Sequence, residues 1–326
     1  MRELQFREAL REAMVEEMRR DPTVYLMGEE VAEYNGAYKV SQGMLDEFGP
    51  GRVIDTPISE MGFAGVGVGS AMVGLRPIIE FMTWNFSMVA IDQIINGASK
   101  VYSMSGGQFH VPVTFRGPSA SAGQLGATHS QSFEPWLANM PGIYCVVPAT
   151  PAKGKGLLKS AIREDNPVLV FESEQMYNLK GEVPEGDYTI PLGVADVAVV
   201  GTDVTVVTYG KMFLVCLQAQ QELAKAGISL EVIDLQSVRP IDYDTVVASV
   251  KKTNRCVVVE EAWPLASLSA EIAYWLQRYA FDYLDAPVMR VTGADVPMPF
   301  APTLIEAYLP NVKRVVDAVN ATLYRA

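Results

Sequence analysis

The 326 residues are 49% hydrophobic and 20% charged, the balance of a soluble globular chain long enough for two domains with separate cores. Against 26 basic residues stand 38 acidic ones, and the formal charge of −12 argues against nucleic acid or an anionic membrane as the principal partner. Cys145, Cys216 and Cys256 are odd in number and widely spaced, which fits reduced core thiols better than a disulfide framework or a zinc site.

The N-terminal stretch RELQFREALREAMVEEMRRD carries both signs of charge, with Phe6, Leu10, Ala13, Met14 and Met18 at helical spacing, so it reads as an amphipathic helix rather than a signal or transit peptide. With no apolar run long enough to span a bilayer, the expected location is the cytoplasm, or an organellar matrix after removal of a leader. A strand is predicted over 24–31, followed by a loop containing Tyr34, Asn35 and Gly36. Further strands are predicted over 52–55, 76–81, 111–115, 141–148 and 168–172, with helices over 87–102 and 152–163. This alternation predicts an α/β fold whose first domain, residues 1–185, is a doubly wound parallel sheet. In such sheets ligands sit at the carboxyl ends of the strands. Scattered Gly and Pro mark 173–202 as irregular, and 186–202 is taken as a linker. A smaller C-terminal α/β domain then occupies 203–326, with strands over 204–209, 229–235, 256–260 and 287–291 and helices over 212–226, 243–250, 267–278 and 312–323.

The stretch DTPISEMGFAGVGVGSAMVG, residues 55–74, stands out. Ser59 is a plausible N-cap for a helix of small residues in which Glu60 is the only charged one. Each interior Gly costs a helix roughly 1 kcal/mol relative to Ala, so its neighbours must pack very closely. Flanked by Ile58, Met61 and Phe63, the Glu60 carboxylate is placed in surroundings of low dielectric that suit it to proton exchange; an ordinary acidic first-turn residue is the competing reading. Dinucleotide binding is disfavoured, because GVGVGS lacks the third glycine of the fingerprint and no acidic residue follows at the required distance. Residues 117–126, GPSASAGQLG, form a loop of little bulk that can lie close to a ligand or partner. It leads to His129, one of only two histidines, a functional candidate beside the ordinary structural reading; His110 reads as a surface residue.

These words occur in a set: DTPISEMGFAG, EFMTWNFSMVAIDQIIN, MSGG, FRGP, HSQSFEPW, EVIDLQSVRPID and DAPVMRVTGADVPMP. Their order and spacing resemble the beta subunits of the thiamine-diphosphate-dependent 2-oxo-acid dehydrogenases, pyruvate dehydrogenase in particular, over nearly the whole chain. The resemblance implies a transketolase-like pyrimidine-binding domain followed by a transketolase C-terminal-like domain. It also implies thiamine diphosphate held between two different chains, with the aminopyrimidine against this one and the magnesium diphosphate against an alpha subunit. By the same resemblance Glu60 hydrogen-bonds a pyrimidine nitrogen, Phe86 stacks on that ring, and Met82 and Ile58 wall the pocket. His129 would assist acyl transfer to lipoamide. A potassium ion is implied at Val113, Ala161, Ile162, Glu164 and Asn166, although relatives commonly carry Asp at the position of Glu164.

The chain contains no Gly-Asp-Gly, the start of the diphosphate-binding word of thiamine enzymes. An alpha subunit in a two-alpha, two-beta assembly is therefore the expected partner, together with pyruvate and a dihydrolipoyl acyltransferase core. The alternatives are a branched-chain 2-oxo-acid or acetoin dehydrogenase subunit, and a non-catalytic scaffold that keeps only the fold.

Overall fold

The computed structural model describes residues 1–325. The strands of the first half are β1 (Arg2–Gln5), β2 (Val24–Gly28), β3 (Val53–Asp55), β4 (Arg76–Glu80), β5 (Thr114–Pro118), β6 (Tyr144–Val146), β7 (Val168–Glu172) and β8 (Lys180–Val183). Those of the second are β9 (Asp196–Val199), β10 (Val204–Thr208), β11 (Leu230–Asp234), β12 (Ser237–Arg239), β13 (Cys256–Val259) and β14 (Met289–Val291). A seven-stranded sheet runs β12-β6-β7-β5-β4-β2-β3, and a five-stranded one runs β14-β13-β10-β11-β9. Only the edge strands β12 and β9 are antiparallel to their neighbours; every other pairing in the two sheets is parallel. The fold is the expected two-sheet α/β arrangement.

Successive side chains of a strand point to opposite faces, so a strand covered on both sides must be apolar at every position. The central strands are mostly apolar, and the charged residues they do bury, Arg116, Glu80 and Glu172, are paired with one another. Ile78 and Val170 join the cluster beneath the Phe6–Arg20 and Pro151–Arg163 helices, while Ile79 and Phe171 join the one containing Phe63, Phe115 and Trp84. The Glu60–Met72 helix packs on this second face, where Gly67 matters: a Cβ there would lie 2.6 Å from Ile79 Cδ1.

Several elements differ from the sequence-based expectation. The helix expected over 87–102 is a 3₁₀ segment (Trp84–Ala90), a π segment (Gln93–Ala98) and an α-helix (Ser99–Met104). Within the π segment, the Gln93 side chain reaches to 3.1 Å from where Gly65 would carry a Cβ, so glycine makes room for it. The strand expected over 111–115 begins three residues later, at Thr114, because Pro112 has no N–H for a central ladder. The segment taken as irregular holds β8, which pairs with β1, and β9, an edge strand of the second sheet. Unforeseen, β12 leaves the C-terminal half to pair with β6 and ties the two sheets together. No helix among the described residues is long and apolar enough to cross a membrane.

Candidate active site

Four adjacent parallel strands, β5-β4-β2-β3, end on the same side, and the singled-out residues follow those ends. Gly28, the last residue of β2, pairs with Asp55 of β3 and Glu80 of β4. Glu29 follows β2, and the segment to Glu60 follows β3. Met82 and the turn bearing Phe86 follow β4, and the loop to His129 follows β5. The Asp55 carboxylate accepts the amides of Ala32 (2.7 Å) and Glu33 (3.0 Å), fixing the turn beyond Glu29.

Glu60 opens its helix only 6% exposed, and its carboxylate has no hydrogen-bond partner among the described residues. Ser59 stands at the N-cap position, but its side chain caps nothing, contrary to expectation. The apolar surround is also not the one foreseen. Ile58 is 86% exposed and Met61 mostly exposed, leaving Phe63 as the buried flank. Glu29 is the residue that sequence reasoning missed. It is 5% exposed, Oε1 has no partner, and its carboxyl is pushed up to about 7, first by burial and then by the charge of Glu60. A buried acid that keeps its proton to near neutrality beside a second carboxylate is a place to hold a proton.

The Glu60–Met72 helix packs on the turn that carries Phe86, and there the structure joins two other expected residues. Phe86 and His129 meet edge to face, with ring centroids 5.1 Å apart and planes at 87°. Both rings are half-buried, as is Met82. Asn85 holds the two segments together: Oδ1 accepts the Gln131 amide at 3.1 Å, and Nδ2 donates to Thr83 Oγ1 at 2.6 Å. Thr83 in turn donates to the Pro118 carbonyl at 3.3 Å. On its Nδ1 side His129 meets Thr128 Oγ1 at 3.0 Å. Asn85 and Thr83 lie inside the word TWNFS, the one signal that could have pointed to them.

The oxygens named for potassium are hard, neutral carbonyls of the right chemistry, but several are engaged. Arg76 donates to the carbonyls of Ile162 (3.5 Å) and Glu164 (3.2 Å), the Glu164 amide bonds the Ala161 carbonyl, and the Val168 amide bonds that of Val113. The Glu164 side chain turns back to the Asn166 amide at 3.2 Å. A monovalent cation there would share its oxygens with a guanidinium.

Residues 2–180 match the family described as the transketolase pyrimidine binding domain, and residues 193–315 match the transketolase C-terminal domain. A split-gene transketolase solved as an inactive beta4 tetramer superposes with a TM-score of 0.78 at 25% identity, covering 98% of each chain. The pyruvate dehydrogenase E1 component subunit beta of Rhizobium meliloti is 54% identical over 98% of this chain and 70% of its own length. That of Rickettsia felis is 51% identical over 98% of both, and the human mitochondrial one is 50% identical over 97% of this chain and 90% of its own. The chain thus belongs to the family of pyruvate dehydrogenase E1 component beta subunits.

Proposed function

We infer that this chain supplies the aminopyrimidine half of a thiamine diphosphate site and, with an alpha subunit, carries out oxidative decarboxylation of pyruvate and acetylation of lipoyl groups on a dihydrolipoyl acyltransferase. The observation that carries this reading is the buried Glu60 side chain, engaged by no hydrogen bond or ion pair among the described residues, beside a second acid, Glu29, whose carboxyl is pushed up to about 7. The residues fit the cofactor. An acid with no internal hydrogen bond to lose, the half-buried Phe86 ring and Met82 form an amphipathic wall for a flat heterocycle that needs one charge-assisted contact. Ile58 would contribute through contact with the partner-facing side, since it lies open to solvent here.

Thiamine diphosphate, when bound, supplies the electron sink for decarboxylation. Glu60 accepts a hydrogen bond from the ring and holds or returns its proton, Glu29 keeps a second proton within reach, and Phe86 orients the ring. His129, steadied by Phe86 and Thr128, donates a proton or hydrogen bond during acyl transfer. Magnesium and the diphosphate fall to the alpha subunit in a two-alpha, two-beta assembly, since the chain has no Gly-Asp-Gly. Potassium at the Ala161–Asn166 turn is a further element of the proposal, checked by whether potassium raises the thermal midpoint more than sodium.

The test is Glu60→Gln in the pair reconstituted with its alpha subunit. Loss of a positioned acid predicts a fall of about 10²- to 10⁴-fold in pyruvate decarboxylation and a smaller thermal shift on adding thiamine diphosphate. Unchanged turnover would favour a scaffold role. Turnover by this chain alone would refute the shared site, and faster decarboxylation of branched 2-oxo acids than of pyruvate would reassign the substrate.

A further inference from the structure

The loop bearing His129 is held by the other half of the molecule. After Pro118 the chain makes two backbone anchors, Ser119 N–H to the Glu172 carbonyl at 2.8 Å and Ala120 N–H to the Gln131 carbonyl at 2.9 Å. Ala120 adopts a left-handed φ of 63°, and Gly123 and Gly126 follow at 79° and 81°. Between Ser121 and Gln131 the loop makes no hydrogen bond to the rest of the chain among the described residues. A segment of this composition has little of its own to keep it in one place.

Ser121 is where the second sheet takes hold. The parallel pairing of β10 with β13 sets Thr208 beside Val259, so the residues just beyond each strand, Lys211 and Glu261, emerge together. Glu261 Oε1 accepts the Ser121 amide at 2.7 Å, and its Oε2 lies 2.9 Å from Lys211 Nζ. Lys211 also donates to Ser121 Oγ and, at 2.8 Å, to Gln175 Oε1. Ser121 and Glu261 are buried and Lys211 nearly so, so this is a water-poor ion pair with both partners bonded to the loop or its neighbour. Such pairs are costly to assemble and strongly directional, which suits the fixing of geometry more than the gain of stability. The pair lines the crevice at the carboxyl ends of β10 and β13, where an open α/β sheet ordinarily takes a ligand.

We propose that Lys211 and Glu261 are positioning residues that fix the 117–131 loop and thereby set His129 against Phe86 for acyl transfer. The proposal rests on the reading of His129 given above, and the experiment separates the two. In the reconstituted holoenzyme, Glu261→Ala, Glu261→Gln, Lys211→Met and His129→Ala are compared in two half-reactions: decarboxylation with an artificial electron acceptor, and acetylation of a lipoyl domain. Amide hydrogen exchange is followed in the peptide spanning 117–131.

Glu261→Ala and Lys211→Met should raise exchange in that peptide at least tenfold while the β4 and β7 peptides hold, and should depress acetylation at least tenfold more than decarboxylation. Glu261→Gln, which keeps an acceptor for the Ser121 amide, should recover much of the acetylation lost in Glu261→Ala. Combining Glu261→Ala with His129→Ala should cost no more than His129→Ala alone, as expected for residues acting through one group. If His129→Ala lowers both half-reactions equally, the role given to His129 fails while the exchange result still judges the clamp. If His129→Ala is selective but Glu261→Ala is not, or exchange in 117–131 stays at the wild-type rate, the positioning role is overturned. A general rise in exchange across both sheets would overturn it too, by showing a merely structural pair.

Discussion

Removing Arg116 should leave two acids stranded in the core. Its guanidinium is 1% exposed and lies between Glu80, at the end of β4, and Glu172, at the end of β7, both buried. Nε donates to Glu172 Oε1 at 2.6 Å, Nη1 and Nη2 contact Glu80 and Glu172, and Tyr177 donates to Glu172 at 2.8 Å. Even with Arg116 present, burial holds the Glu80 carboxyl above the usual range. Arg116→Met fills similar volume but supplies no charge and no donor. Breaking one partner out of a buried ion network costs about 3–5 kcal/mol at neutral pH, because the remaining charges are uncompensated. The sign of the pH dependence follows. In the variant the Glu80 carboxyl, already held above the usual range, loses the guanidinium that lowers it, so its contribution is present at low pH and is lost as pH rises through the raised value. The deficit relative to wild type should therefore be about 3–5 kcal/mol at pH 8 and smaller at pH 5. Urea denaturation of the purified chain, followed by tryptophan emission, measures it at both pH values. Trp84, buried with its ring centroid 4.4 Å from that of Phe171, reports on the same region. A deficit under about 1 kcal/mol at pH 8, or one equal at both pH values, would mean the acids are not ionised against Arg116 and the account is wrong.

Glu29 gives a second pH test. Its carboxyl rises from 4.5 to about 7, so its contribution is present below about 4.5 and is lost as pH climbs through about 7. Glu29→Gln does not titrate and should gain on wild type between pH 5 and pH 8 by about 2–3 kcal/mol in urea titrations, whereas a constant difference would place Glu29 in the ordinary range. Two glycines of the His129 loop should respond differently to alanine. At Gly117 (φ 155°) a Cβ would lie 2.3 Å from the Phe81 carbonyl oxygen, backbone that cannot yield, so the loss should reach about 3 kcal/mol or more. At Gly126 (φ 81°) nothing lies within 4 Å, and only the conformational cost of about 1 kcal/mol applies. Equal losses in thermal or urea midpoints would show that the close approach at Gly117 carries no weight.

The legible parts of the molecule are those written locally. Valine-rich strands, the glycine helix and the word TWNFS each sit within a short window, and Phe86 and His129 could be named without knowing that they touch. Glu29 could not be weighed in the same way. In sequence it only ends a strand, and its burial arises when β3 and β4 close on either side of β2. Lys211 and Glu261 are fifty positions apart and become neighbours through the β10–β13 register alone. The break in the 87–102 helix is likewise non-local, because Gln93 has somewhere to go only where Gly65 leaves the space. Three residues, Ser237–Arg239, carry no periodicity that could say which sheet they join. Ser59 shows the reverse error: a residue type suited to capping stands at the cap position and does not cap.

The two sheets also offer a reason for the chemistry to lie in one and not the other. Both present a carboxyl-end crevice with acids in it, and in the second sheet those acids are engaged from within. Asp234 meets Lys153 at 2.7 Å, Glu260 accepts from Tyr209 and from the Ser269 amide at 2.9 Å, and Glu261 holds Lys211 and Ser121. In the first sheet Glu29 Oε1 has no such partner. An unmet buried polar group costs roughly 1–3 kcal/mol, and a scaffold would shed that cost by replacing Glu29 with a neutral or apolar residue. Glu134, which lines the second crevice, also has an unpartnered oxygen and a carboxyl pushed up to about 7, so the contrast is confined to acids at the strand ends: Asp234, Glu260 and Glu261 are paired from within, whereas Glu29 Oε1 is not. An unpartnered Glu29 oxygen at the first crevice is a polar group that a scaffold would have no need to keep.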